Sequence, residues 1–158
     1  MGFQFEDIQF YWPTSKEIYK AKRAVFLSHG VPQLLAVGFV RAPFKDANHG
    51  NTNVDSHQYT FCRLRNESLE LLIVDICNGD RFVKCKLGIY ELDHPGTTYE
   101  ELSSKEVLPY LIPPLNHAFK IYSVRMNWSL TRSGFQRSQK KLASDLQMTI
   151  ARFFKPVR

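Results

Sequence analysis

Cysteine is scarce in this 158-residue chain: Cys62, Cys77 and Cys85 are an odd number without CxxC spacing. That count argues against a disulfide framework or a thiolate zinc site and fits a reducing compartment. Long apolar runs are also lacking. The longest, Leu69 to Cys77, is broken by Glu70 and Asp75 and falls far short of the roughly 20 residues of a membrane span. The opening MGFQFEDIQF has neither a positive n-region nor an apolar h-region, so no secretory signal is expected. Asn66-Glu67-Ser68 and Asn127-Trp128-Ser129 then read as chance sequons. Met1-Gly2 begins like a myristoylation site, but Glu6 stands where Ser or Thr is needed.

Catalytic signatures are missing as well. His29, His49, His57, His94 and His117 form no HExxH and no local pair at ligand spacing, and there is no G-x-S-x-G or phosphate-cradling glycine loop. No catalytic residue, metal ligand or cofactor is assigned, and the chain reads as a non-enzyme. Cys85, in phase with Val83, Leu87 and Ile89, reads as a small core residue rather than a nucleophile.

What is present suffices for one folded domain. Hydrophobic residues make up 44% and aromatics 13%, including 12 Phe, 7 Tyr and 2 Trp, which is too apolar for a disordered tail. The net charge of +6 is unevenly placed: from Lys120 to Arg158 nine Lys or Arg stand against Asp145 alone, a net of +8, so the first 119 residues net −2. Charge concentrated in this way acts as one surface, and a polyanion is its natural partner.

Alternation dominates the middle of the chain. Val83, Cys85, Leu87 and Ile89 interleave with Lys84, Lys86 and Gly88, and Tyr122, Val124, Met126, Trp128 and Leu130 interleave with Ser123, Arg125, Asn127 and Ser129. Both predict strands with one buried face. Leu69 to Cys77 predicts a central strand buried on both faces, and Asn78-Gly79-Asp80 a turn that pairs it with Phe82 to Leu92. Gln33 to Val40 and Gln58 to Leu64 are further candidate strands, joined by a polar segment from Lys45 to Ser56.

Helices are fewer. Thr14-Ser15-Lys16-Glu17 resembles a capping box with Ile18, Ala21, Val25 and Phe26 behind it. Tyr99 to Leu108 predicts a short acidic helix stopped by Pro109. Ser133-Gly134-Phe135-Gln136 offers a cap, and Leu142, Leu146, Ile150 and Phe153 then mark an amphipathic helix with Arg137, Lys140 and Lys141 on its polar side. Its apolar face either packs on the sheet or a neighbouring subunit, or touches a membrane. Residues 1–134 are expected to form a β-rich domain, with 135–158 as a basic helix packed on it.

Trp12-Pro13-Thr14, the run Gln33 to Phe39, Ser68-Leu69, Ile89-Tyr90 before Asp93-His94-Pro95, and above all Asn116 to Met126 resemble a bornavirus matrix protein in order and approximate spacing. The likeness runs from Trp12 to about Gly134. It implies an α+β, β-rich domain of two packed antiparallel sheets with a few short helices, assembling as a homotetramer. It also implies binding of anionic lipid at the inner face of a viral envelope, binding of single-stranded RNA, and association with the viral ribonucleoprotein in host cytoplasm or nucleus. The basic helix after Gly134 extends beyond the family's core.

The expected function is therefore a non-catalytic matrix protein, with a basic nucleic-acid-binding module without a membrane role, such as an RNA-binding suppressor of host defence, as the alternative. Arg125, Arg132, Arg137, Lys140, Lys141, Arg152, Lys155 and Arg158 are the candidate RNA and lipid contacts. Tyr99-Glu100-Glu101-Leu102 has the YxxL form by which some viral proteins recruit host budding machinery, which makes Tyr99 and Leu102 a candidate late-domain motif; an acidic helix start is the other reading.

Overall fold

The computed structural model describes residues 10–45, 47–51, 56–106, 119–128 and 130–156. Helix α1 (Ser15–Val25) starts at the expected capping box: the Glu17 N–H donates to Thr14 Oγ1 at 3.1 Å and the Thr14 N–H to the Glu17 carboxylate at 2.7 Å. The bond from the Thr14 N–H, followed by one from the Tyr11 hydroxyl at 2.9 Å, holds the Glu17 carboxyl below its ordinary range. The helix then widens into a π-helical turn, Phe26–Gly30. Pro32 has no N–H to return to the Ser28 carbonyl, and the Val31 N–H reaches back five residues to Phe26 O. Gly30 is required inside this turn, since a Cβ there would lie 2.6 Å from the Phe26 ring. Helix α2 (Val31–Ala36) follows, so the strand expected over 33–40 shrinks to β1 (Val40–Arg41). An apolar run this short fits either period, and Leu34 buries itself completely on helical spacing while Leu35 stays exposed.

The sheet contains β2 (Asn48–Asn51), β3 (Ser56–Leu64), β4 (Ser68–Cys77), β5 (Phe82–Glu91) and β6 (Lys120–Arg125), all antiparallel. Its order is β3-β4-β5-β6, with β1 and β2 following one another along the outer edge of β3. Strand β4 is central and buried on both faces, as its sequence requires, with Leu72 opposite Phe61 on one side and Leu87 on the other. The β4–β5 hairpin turns at Asn78-Gly79, where Gly79 takes φ +90°.

The fold is α+β, but the two-sheet sandwich is not found. Among the described residues there is one sheet, and helices occupy the face that a second sheet would cover. Phe61, Leu72, Val74, Ile76, Val83 and Cys85 meet Phe26 and Leu34 on that face, together with Leu142, Leu146 and Ile150 of α4 (Arg132–Phe153). Each of these fully buried α4 side chains contributes about 1.5–3 kcal/mol. The opposite face, carrying Cys62, Leu69, Leu71, Ile73 and Tyr90, is covered by Ala42, Phe44 and Ala47 and by Leu102 of α3 (Tyr99–Ser103).

Three boundaries shift. Strand β6 ends at Arg125, after which Met126 is buried and Trp128 half-buried beneath Arg81, whose guanidinium lies 4.2 Å above its ring. Helix α3 stops at Ser103; Leu108 and Pro109 lie outside the described residues. Helix α4 begins at Arg132 rather than 135, because Thr131 rather than Ser133 caps it, its Oγ1 accepting from the Gly134 N–H at 3.0 Å.

A candidate polyanion-binding surface

Helix α4 sets the geometry of the basic surface. Stepping by four from Leu142 through Leu146 and Ile150 turns the apolar stripe by about 40° per step, and Phe154 continues it. Phe154 is accordingly buried, whereas Phe153, expected on the core face, is 45% exposed. Arg63 fixes the end of the helix: its Nη1 donates to the carbonyls of Lys155 at 2.9 Å and Val37 at 2.6 Å, while Nε meets Glu70 at 2.5 Å. The buried stripe leaves α4 with two flanks, and a concavity borders each.

Along the C-terminal half, an open groove of about 750 Å³ lies between α4 and the edge strand β6. Arg125, Lys141 and Arg152 line it, together with Ser123, Asn127 and the exposed Met148 and Phe153. Phe153 stacks on Tyr122 with centroids 4.6 Å apart, and the Arg152 guanidinium sits 5.2 Å from its ring. Cations beside an exposed aromatic ring can hold phosphates and stack an unpaired base. One cation is partly committed: Lys141 is paired with Asp145 at 2.9 Å.

Along the N-terminal half, a cleft of about 540 Å³ separates α4 from the end of α1 and the π-helical turn. Arg137 and Lys140 line it with Ser28, His29, Ser133 and Gln136. The candidate cations thus divide into Arg125, Lys141 and Arg152 in the groove and Arg137 and Lys140 in the cleft. Arg132 and Lys155 stand at opposite ends of α4 and line neither. Arg132 lies over the Tyr11 ring at 5.2 Å, and about 30 Å of helix separates it from Arg152. Arg158 lies outside the described residues. Sequence reasoning missed Ser123, Asn127 and Met148 in the groove and Ser28 and His29 in the cleft, since pairing α4 with β6 and α1 is a tertiary event that no local pattern announces.

The late-domain candidate does not form an accessible linear motif. Leu102 is completely buried and the half-buried Tyr99 accepts the Leu64 N–H on its hydroxyl at 3.1 Å, both within the capped helix α3. Burial pushes the Cys62 and Cys85 thiols up to about 12, which keeps both protonated and unreactive. Among the described residues no group of three or more His, Cys, Asp or Glu is placed to hold a metal, and no helix is long and apolar enough to cross a membrane. In comparisons with known proteins, the chain matches no family model, no curated protein and no solved structure.

Proposed function

We propose that this protein is a matrix-type structural protein that binds an anionic membrane and single-stranded RNA and so links an envelope to a ribonucleoprotein, without catalysis. The observation that carries the reading is the exposure of Arg137, Lys140 and Arg152 on the two flanks of one helix whose inner face is locked into the core, with the exposed Arg125 of β6 facing one of those flanks across the groove. Cations held near an anionic leaflet contribute about 1 kcal/mol each, and a homotetramer would multiply that by avidity. The groove adds a surface suited to unpaired bases, because Phe153 is exposed beside Arg125 and Arg152.

Sedimentation with phosphatidylserine vesicles, with and without a single-stranded oligoribonucleotide, tests the reading. Co-sedimentation of protein with vesicles, recruitment of RNA to that pellet and loss of both at high salt are expected. Binding of RNA without any vesicle association would instead identify a plain RNA-binding module. Point substitutions, not truncation, are the appropriate variants, because α4 supplies Leu142, Leu146 and Ile150 to the core.

A further inference from the structure

The cleft beside the π-helical turn is positive like the groove but, unlike it, contains no carboxylate. Its lining contains Arg137, Lys140, His29, two serines and two glutamines, and no carboxylate among the described residues. In the groove, Asp145 already neutralises Lys141; in the cleft, neither Arg137 nor Lys140 forms an ion pair with any described residue. The two cations are three residues apart and therefore neighbours on the surface of α4. Facing them, the π turn carries one residue more per turn than an α-helix and presents Ser28 and His29 to the cleft. Two unneutralised cations among hydroxyl, imidazole and amide groups in a concave site match an anion with several oxygens and two negative charges. The volume, about 540 Å³, has room for a ring-sized headgroup as well as its phosphate.

We propose that this cleft is a phosphomonoester site that takes the phosphorylated headgroup of an anionic lipid, with Arg137 and Lys140 as its charged contacts and Ser28 and Gln136 as flanking hydrogen-bonding groups. The proposal rests on the polyanion-binding reading above and deepens it. Charge alone treats anionic lipids alike, whereas a shaped site separates a dianionic phosphate monoester from the phosphodiester of phosphatidylserine.

The experiment compares the full chain on phosphatidylcholine vesicles doped with a monophosphorylated phosphatidylinositol or, at equal total charge, with phosphatidylserine. The wild type is expected to prefer the phosphoinositide vesicles by about tenfold, the worth of one good charge-assisted contact. Arg137→Gln combined with Lys140→Gln abolishes that preference. Arg152→Gln, on the other flank, weakens both vesicle types and leaves the ratio intact. Soluble inositol phosphate releases the protein from phosphoinositide vesicles at concentrations where inorganic phosphate does not; equal release by inorganic phosphate would reassign the cleft to free phosphate and overturn the lipid assignment. Equal wild-type binding to both vesicles overturns the proposal while leaving membrane attachment by charge in place. Absence of binding to either vesicle overturns the underlying reading as well.

Discussion

The ammonium of Lys22, fully buried, lies 2.9 Å from Asp80 Oδ1 and donates also to the carbonyls of Cys77 and Asp80, each at 2.7 Å, and of Phe82 at 3.3 Å. Helix α1 is thereby bonded to the β4–β5 turn from within. Lys22→Met would take the ammonium away from three carbonyls and leave Asp80 with only its bonds from Lys84 and the Phe82 N–H, and it is expected to cost about 3 kcal/mol. Urea denaturation measures it, and a loss below about 1 kcal/mol would show that the turn re-solvates freely.

Asp80 gives the same turn a pH dependence. Burial opposes its charge, but bonds from Lys84, Lys22 and the Phe82 N–H outweigh it and hold the carboxyl below the ordinary carboxylate range. Since the folded pKa is the lower one, the contribution is complete above the unfolded value of about 4 and is lost as pH falls through the folded one. Asp80→Asn should therefore lower stability at neutral pH and flatten the acid limb of a plot of urea midpoint against pH. A limb as steep as the wild type's would assign acid sensitivity to other carboxylates.

In the groove, the cations differ in availability. Replacing Arg125 and Arg152 by Gln is expected to reduce the slope of log affinity for single-stranded RNA against log salt by about 1.4, from roughly 0.7 per phosphate contact. Lys141→Gln should change it far less, because Asp145 already holds that ammonium. Fluorescence anisotropy of a labelled oligoribonucleotide across a salt series decides between these outcomes; equal effects of Lys141→Gln and Arg152→Gln would count against the groove as drawn.

Adjacent phenylalanines should separate stability from binding. Phe154→Ala empties a buried site and is expected to cost about 3–5 kcal/mol of folding stability. Phe153→Ala should cost much less stability yet weaken RNA binding by about 1–3 kcal/mol if a base stacks on that ring. Thermal melts alongside anisotropy provide both readings, and unchanged RNA affinity in Phe153→Ala would remove stacking from the mechanism.

At Gly30 the obstacle is steric. Adding a methyl group drives it into the Phe26 ring, which is fully buried and contacts Tyr59 and Phe61, so Gly30→Ala should cost about 1–3 kcal/mol. A melting temperature equal to the wild type's would mean that the turn relaxes without penalty.

How far the fold could be read in advance follows from how local its causes are. The capping box at Thr14 and Glu17, the doubly buried β4 and the turn at Gly79 each depend on residues within a few positions, and all three are legible. The run from Gln33 to Val40 is not, because its outcome depends on Pro32 and on the π-helical turn before it. Phe154 is buried in place of the expected Phe153 because the apolar stripe of α4 drifts with every turn. Seven of the eight candidate cations fall within the described residues, but which five line the groove or the cleft and which two line neither depends on the elements α4 packs against. The buried Lys22 gives no local signal, since its acceptors lie more than fifty residues away.

The position of α4 in the chain imposes an order on biosynthesis. The face of β3, β4 and β5 that carries Phe61, Leu72, Val74 and Val83 is made before Leu142, Leu146, Ile150 and Phe154 exist to cover it. A nascent chain that has emerged only as far as β6 therefore presents an apolar sheet that α1, the π-helical turn and α2 cover only in part, the kind of surface that chaperones bind and that seeds aggregation. The segment that closes this face also carries Arg137, Lys140, Lys141 and Arg152, so a chain still open to misassembly lacks most of its means of gripping a polyanion.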